Sequence, residues 1–315
     1  MQLVMNHQIS ILIILILILT GCSNEIGMEE EPHPINEVPV PILIMPKGID
    51  ATTKALVDEF TKENINEIGI YGTSNTKVIY NGISPSQIGN NQELIFTNTS
   101  LVYPADGNSI TLAGYYPRQS KGTAYTINNN SLQFTLTGEE DLMYAASINA
   151  GNKKAPEAVN LNFTHKLTNV KFNLVNGTDN ILPDGYISIT TDTPNSGSLN
   201  LSNGTITIDK TSITTFALST NINANTLASK DTISVNENLL LFPELAYTFK
   251  LRIGDQSYNI QIDTANQPAW KEGISYLLTI TIKKLNTLKS FTKSDNKAES
   301  LSGSFIQGNF TQTKK

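Results

Sequence analysis

The sequence predicts an all-β fold, and three observations carry that expectation. Apolar residues recur at every second position through most of the chain. Turn-forming pairs such as Asn81-Gly82, Asp106-Gly107, Asn176-Gly177, Asp184-Gly185 and Asn203-Gly204 separate these runs, and the composition is rich in Asn, Thr and Ser. A period of two marks a half-buried strand, and Asn-Gly and Asp-Gly suit hairpin turns. Asn, Thr and Ser favour strands and turns over helices. The helical period is nowhere sustained beyond Ala55 to Phe60.

At 315 residues the chain is long enough for about two domains. Only 16% of residues are charged and large aliphatics are plentiful, which describes a globular chain and not a disordered one. A net charge of −6 argues against a nucleic-acid partner, which needs a basic face to neutralise phosphates. The one cysteine, Cys22, has no partner for an internal disulfide, so stability must come from core burial across two sandwiches.

Residues 1–21 read as a signal segment. Ile11 to Leu19 is an unbroken apolar run, too short to span a membrane, and it ends in Leu19-Thr20-Gly21-Cys22. That tetrapeptide resembles a bacterial lipobox. The resemblance implies cleavage before Cys22 and acylation of its sulfur, where each buried CH₂ contributes about 0.8 kcal/mol to anchoring. Residues 22–48 form an acidic tether and a candidate first strand. Glu25, Glu29, Glu30, Glu31 and Glu37 precede the alternation Val38, Val40, Ile42, Ile44, with Pro39 and Pro41 between them. Both prolines remove donors from the same side, so a strand here must be an edge strand; a polyproline-like linker is the other reading.

Residues 49–155 are expected to form a first domain, with strands near 67–71, 77–80, 93–97, 110–116 and 132–136. Residues 156–284 are expected to form a second, in which Ile187/Ile189, Leu199/Leu201, Ile206/Ile208, Ile233/Val235, Phe249/Leu251/Ile253, Tyr258/Ile260/Ile262 and Leu278/Ile280/Ile282 alternate. Between Val159/Leu161/Phe163 and Val170/Phe172/Leu174 the stretch His165-Lys166-Leu167 breaks the alternation, so the two strands join or bend there. Residues 285–315 form a polar, basic tail. The short alternations around Leu301, Phe305 and Phe310 read either as added strands or as a terminus without regular structure.

Several of these stretches together resemble the fimbrillin family of Bacteroidales surface lipoproteins. They are Asp141-Leu142-Met143-Tyr144-Ala145, the Val159-to-Phe172 run through His165, Thr53-Lys54-Ala55, Glu67-Ile68-Gly69-Ile70, Tyr115-Tyr116-Pro117, and Trp270-Lys271-Glu272-Gly273 with Tyr276 and the strand ending at Ile282. The resemblance covers roughly residues 50–284. It implies two transthyretin-like β-sandwiches in tandem and a lipid-anchored, outer-membrane subunit of surface fimbriae, acting as stalk, tip or anchor in adhesion to host or bacterial surface ligands. It also implies assembly with other fimbrial subunits by strand addition. A protease removes the first strand, here Val38, Val40, Ile42 and Ile44, and a neighbour's terminal segment, here Leu301, Phe305 and Phe310, fills the groove. The family's protease cuts after arginine, but this chain has Arg only at 118 and 252, which leaves Lys47 and Lys54 as candidate cleavage points. A surface lipoprotein that binds glycans without polymerising is the alternative.

No catalytic set emerges. His7 falls in the signal segment, His33 in the tether, and His165 between apolar strands with no second His or Cys near it, so His165 reads as structural. Glu139-Glu140-Asp141 reads as a turn. No phosphate loop, nucleophile elbow or zinc-protease motif is present. No enzyme activity, metal or cofactor is expected. The lipobox carries a direct test: radiolabelled fatty acid should enter the wild-type protein and be lost from Cys22→Ser, and equal labelling of the two removes the anchor assignment.

Overall fold

The computed structural model describes residues 38–47, 59–97, 101–120, 123–262, 270–283 and 306–313. In chain order the strands are β1 (Ile44–Lys47), the hairpin β2 (Gly69–Ser74) and β3 (Lys77–Ile83), the short ladder β4 (Gln87–Ile88) and β5 (Leu94–Ile95), and β6 (Thr111–Tyr116). A second short ladder, β7 (Gln119–Ser120) and β8 (Thr123–Ala124), leads into β9 (Thr126–Asn128) and β10 (Ser131–Thr135). There follow β11 (Met143–Asn149), the ladder β12 (Gly151–Asn152) and β13 (Ala155–Pro156), and β14 (Val159–His165). The remaining strands are β15 (Thr168–Asn176), β16 (Tyr186–Pro194), β17 (Ser196–Asn200), β18 (Ile206–Ile208), β19 (Ile213–Asn223), β20 (Thr232–Leu241), β21 (Phe249–Ile253), β22 (Gln256–Ile262), β23 (Ser275–Ile282) and β24 (Ile306–Thr313). The only helical turns among the described residues are 3-10 segments at Ile65–Glu67 and Ala224–Thr226. The fold class read from the alternation is therefore observed.

Three sheets carry the architecture. A six-stranded sheet runs β1-β14-β11-β6-β2-β3, a four-stranded sheet β18-β17-β10-β9, and an eight-stranded sheet β19-β16-β21-β22-β24-β23-β15-β20. The six-stranded sheet is covered on both faces. Ile70, Leu112, Met143, Ala145, Leu161 and Phe163 belong to one core, with Ile42, Ile44 and Tyr103. Tyr71, Ala113, Tyr115 and Tyr144, their neighbours along the same strands, point to the other face and join Leu132, Phe134 and Leu199 of the four-stranded sheet and Leu201 just beyond β17. Successive side chains of a strand point to opposite faces, so a strand covered on both sides must be apolar at nearly every position. Residues 69–72 of β2 and 112–115 of β6 have no charged or amide side chain, and all are buried.

The boundary expected at residues 155–156 does not separate these layers. β14 pairs antiparallel with β11 in the six-stranded sheet, and β17 pairs antiparallel with β10. From Val40 onward the chain accordingly forms one compact unit. The break expected at His165-Lys166-Leu167 is where β14 ends and β15 begins; the two strands do not pair, and the chain passes there from the six-stranded to the eight-stranded sheet. Nothing in a local alternation says which sheet a strand enters, because pairing is a long-range property.

Close approach explains two motifs that lie far apart in sequence. Gly69 of Ile68-Gly69-Ile70 and Tyr115 of Tyr115-Tyr116-Pro117 are register partners across β2 and β6. A Cβ added at Gly69 would stand 2.2 Å from Cζ of Tyr115, so the ring lies where any side chain at 69 would be. Burial raises the Tyr115 phenol to about 12, which keeps it neutral in this position. Gly69→Ala should therefore lower stability by about 1–3 kcal/mol, the usual cost of overpacking. Chemical denaturation of the single variant and of Gly69→Ala with Tyr115→Leu checks this: the second substitution should recover part of the loss, because leucine ends before the clashing atoms.

Candidate functional site

The proline-bearing segment forms as its alternation suggests. Residue 41 makes an isolated antiparallel bridge with Val102. Ile42 N–H donates to the Leu101 carbonyl at 2.9 Å, and the Val40 carbonyl accepts from Tyr103 N–H at 3.0 Å. Pro41 thus occupies the position between two bonded neighbours, where its missing N–H faces away from that partner. Beyond it the Leu43 carbonyl accepts from Val159 N–H at 2.8 Å, and β1 continues parallel to β14 as the outermost strand of the six-stranded sheet. The edge position inferred from the prolines is the one observed.

Of the four side chains expected to be buried along this segment, Ile42 and Ile44 are, at 4% and 0% exposure, packed among Leu101, Tyr103, Val159 and Leu161. Val40 is half-buried. Val38 is the correction: it is 83% exposed, because the bonds to neighbouring strands begin only at Val40. Lys47 is exposed on the last residue of β1. Lys54 and Cys22 lie outside the described residues.

The tail contains a strand, β24, and it pairs within its own chain. It runs antiparallel to β23, with Phe310 opposite Leu278, and parallel to β22, with Ile260 opposite Ile306. The strand thereby occupies an interior position of the eight-stranded sheet and joins its two halves. Leu301 and Phe305 lie outside the described residues. Of the candidate donor residues only Phe310 is thus placed, and its backbone is engaged at home. Sequence reading found both segments but neither set of partners. Leu101–Tyr103, β14, β22 and β23 carry no local mark of that role.

His165 ends β14 and faces Asp141, which stands just before β11. Nδ1 of His165 lies 2.8 Å from Oδ1 of Asp141, and both side chains are at least nine-tenths buried. Nε2 is enclosed and has no hydrogen-bond partner among the described residues. With one ring nitrogen on Asp141 and the other shut away from solvent, the imidazole is unreachable by substrate or by an external metal. Burial, then the charges of Asp141 and Glu67, raise the neighbouring Tyr116 phenol to about 12. Backbone bonds pin the crossing: Lys166 N–H donates to the Leu142 carbonyl at 2.8 Å, and Gly273 N–H to the Leu167 carbonyl at 3.0 Å. Lys166, itself buried, pairs through Nζ with Glu272. Trp270 packs edge-on against Tyr276 with ring centroids 5.0 Å apart, and against Tyr247 at 5.9 Å. No group of three or more His, Cys, Asp and Glu side chains suited to a metal stands together among the described residues.

A family model described as fimbrillin-like matches residues 53–296. Among solved structures, a candidate cell adhesion protein from Bacteroides uniformis is 18% identical, with 87% of this chain and 98% of that one covered and a TM-score of 0.55. Another candidate cell adhesion protein, from Bacteroides ovatus, is 14% identical, with 88% and 97% covered and a TM-score of 0.54. At these identities the likeness is one of fold. A search of curated proteins finds no match.

The geometry makes His165 a structural residue, and His165→Gln should lower the unfolding free energy by about 1.5–3 kcal/mol through loss of its bond to a buried carboxylate. Thermal unfolding measures it. A purified wild-type protein that carries metal and loses it on this substitution would overturn the assignment.

Proposed function

The chain belongs to the fimbrillin-like family, and from that premise we propose that it is a lipid-anchored subunit of surface fimbriae that assembles by strand exchange and serves in adhesion. Membership supports the fimbrial role and a place at the cell surface, and the names of the two solved proteins of the same fold fit adhesion. The lipid anchor rests on Cys22 and its lipobox-like context. The other fimbrial subunits, of this or a related chain, are the partners, with the outer membrane holding the anchor. The reading assigns no catalytic role.

The observation that carries strand exchange is the state of the Val40–Lys47 segment. It is bonded on one side to Leu101–Tyr103 and on the other to β14, it buries Ile42 and Ile44, and it ends at an exposed lysine. Cutting after Lys47, or at Lys54, detaches the segment from the rest of the chain. Its departure uncovers two pockets that held isoleucines, each worth roughly 1.5–3 kcal/mol of burial, beside strands whose main-chain groups lose their partners. An extended segment from a neighbour satisfies both demands if its side chains match the register.

The candidate donor is the tail, and in the isolated chain that tail is β24. Donation therefore requires β24 to leave β22 and β23 first. This favours a second reading in which the chain is a tip, an anchor or a glycan-binding surface subunit that does not polymerise. Limited cleavage at lysine of protein lacking residues 1–22 separates the two. Ladders of oligomers should form, should disappear when residues 301–315 are deleted, and should be absent from Lys47→Ala with Lys54→Ala. Cleaved protein that stays monomeric at high concentration selects the second reading.

A further inference from the structure

Away from both strands, the loop through Tyr125 and the edge of the four-stranded sheet enclose an open cleft of about 600 Å³. That size lies within the range of small-molecule sites, roughly 300–1,000 Å³. Its lining includes Tyr125, Thr126, Gln133, Thr135, Ser196 and Asp209. Register places them side by side: Thr126 is opposite Gln133, and Thr135 is opposite Ser196. The Asp209 N–H donates to the Ser196 carbonyl at 3.0 Å, which brings the one carboxylate to the same end.

The chemistry of this lining is narrow. Thr126, Gln133 and Thr135 are exposed, and Ser196 is half-buried. Hydroxyls both donate and accept, and an amide does the same through two atoms, so the surface can pair with hydroxyl groups in either sense. The Tyr125 ring is held in place by packing on Phe134, with centroids 6.2 Å apart. It offers an apolar surface beside the polar ones. Among the described residues the lining has no Lys, Arg or His, and bonds from Thr211 hold the Asp209 carboxyl below its usual range, so at neutral pH it is a carboxylate. A phosphate, sulfate or uronate would meet repulsion without a compensating cation.

We propose that this cleft binds a short, uncharged oligosaccharide, with Gln133, Thr126, Thr135 and Ser196 bonding sugar hydroxyls and the ring of Tyr125 meeting a C–H face. Asp209 accepts hydrogen bonds from further hydroxyls, as a charged acceptor bonds more strongly than a neutral one. The site shares no residue with β1 or β24, so the inference goes beyond strand exchange and holds whether or not the chain polymerises.

The test uses the purified, uncleaved chain lacking residues 1–22, so that polymerisation does not enter. It is applied to an array of neutral, sialylated and sulfated oligosaccharides, and hits are followed by calorimetry. Neutral oligosaccharides should bind and charged ones should not. Gln133→Ala with Thr135→Val, both exposed on β10, should weaken binding about tenfold while leaving the melting temperature unchanged. Tyr125→Phe, which keeps the ring, should bind as the wild type does. The proposal is overturned if no neutral oligosaccharide binds at millimolar concentration, if only charged ones bind, or if the double variant binds undiminished.

Discussion

The crossing at His165-Lys166-Leu167 is the constraint on which the other elements depend. Here the backbone leaves a sheet built largely from the first half of the chain and enters one built entirely from the second. Residues from three separated stretches meet there. Asp141 holds His165, Leu142 accepts from Lys166, Glu272 pairs with Lys166, and Gly273 donates to Leu167. A backbone passing between two cores leaves N–H and C=O groups in places water cannot reach, and those named here find partners within the protein. The stretches around Asp141, His165 and Trp270, which resemble one family pattern in the sequence, are in space one joint.

The joint works because the layers around it are continuous. Tyr71, Tyr115 and Tyr144 turn one face of the six-stranded sheet toward the four-stranded sheet, and Tyr144 anchors across the gap with its hydroxyl donating to the Leu201 carbonyl at 3.0 Å. The core on that face extends without a break to Phe172 and Phe249 in the eight-stranded sheet and to Trp270 ahead of β23. A chain read as two sandwiches end to end thus shares strands between its halves. Large rings at sheet faces require small neighbours, which is why Gly69, at the start of β2, stands opposite Tyr115 near the end of β6.

The two segments proposed for exchange differ in how firmly they are held. The first contacts its neighbours through a few backbone bonds at an edge and buries two isoleucines. Two prolines at its start and one within β1 limit the donors it can offer. The terminal strand is paired along both sides in the interior of a sheet. An edge strand can leave with little disturbance, whereas withdrawing an interior strand divides the sheet into two parts whose inner edges are exposed. The asymmetry makes the release of β24, and not that of β1, the demanding step in any exchange.

The sequence by itself determined the strands whose alternation is strong: β2, β3, β6, β10, β14 to β18 and β20 to β23 lie where the period of two places them. Burial on one face imposes that period locally, so it can be read without knowing the partner. β19 was missed, since its inward residues, Phe216, Leu218 and Thr220, are separated by polar and small ones and include a threonine. The prolines also declared an edge strand, because a missing N–H is a property of the residue and not of its surroundings. Only the tertiary structure decided the rest. It placed β14 in the first sheet and β17 and β18 against β10, left Val38 exposed, inserted the tail between β22 and β23, and set Asp141 against His165. Each of these is a choice among partners far apart in the chain, settled by which arrangement buries apolar faces and leaves the fewest polar groups unpaired, and no local pattern encodes that choice.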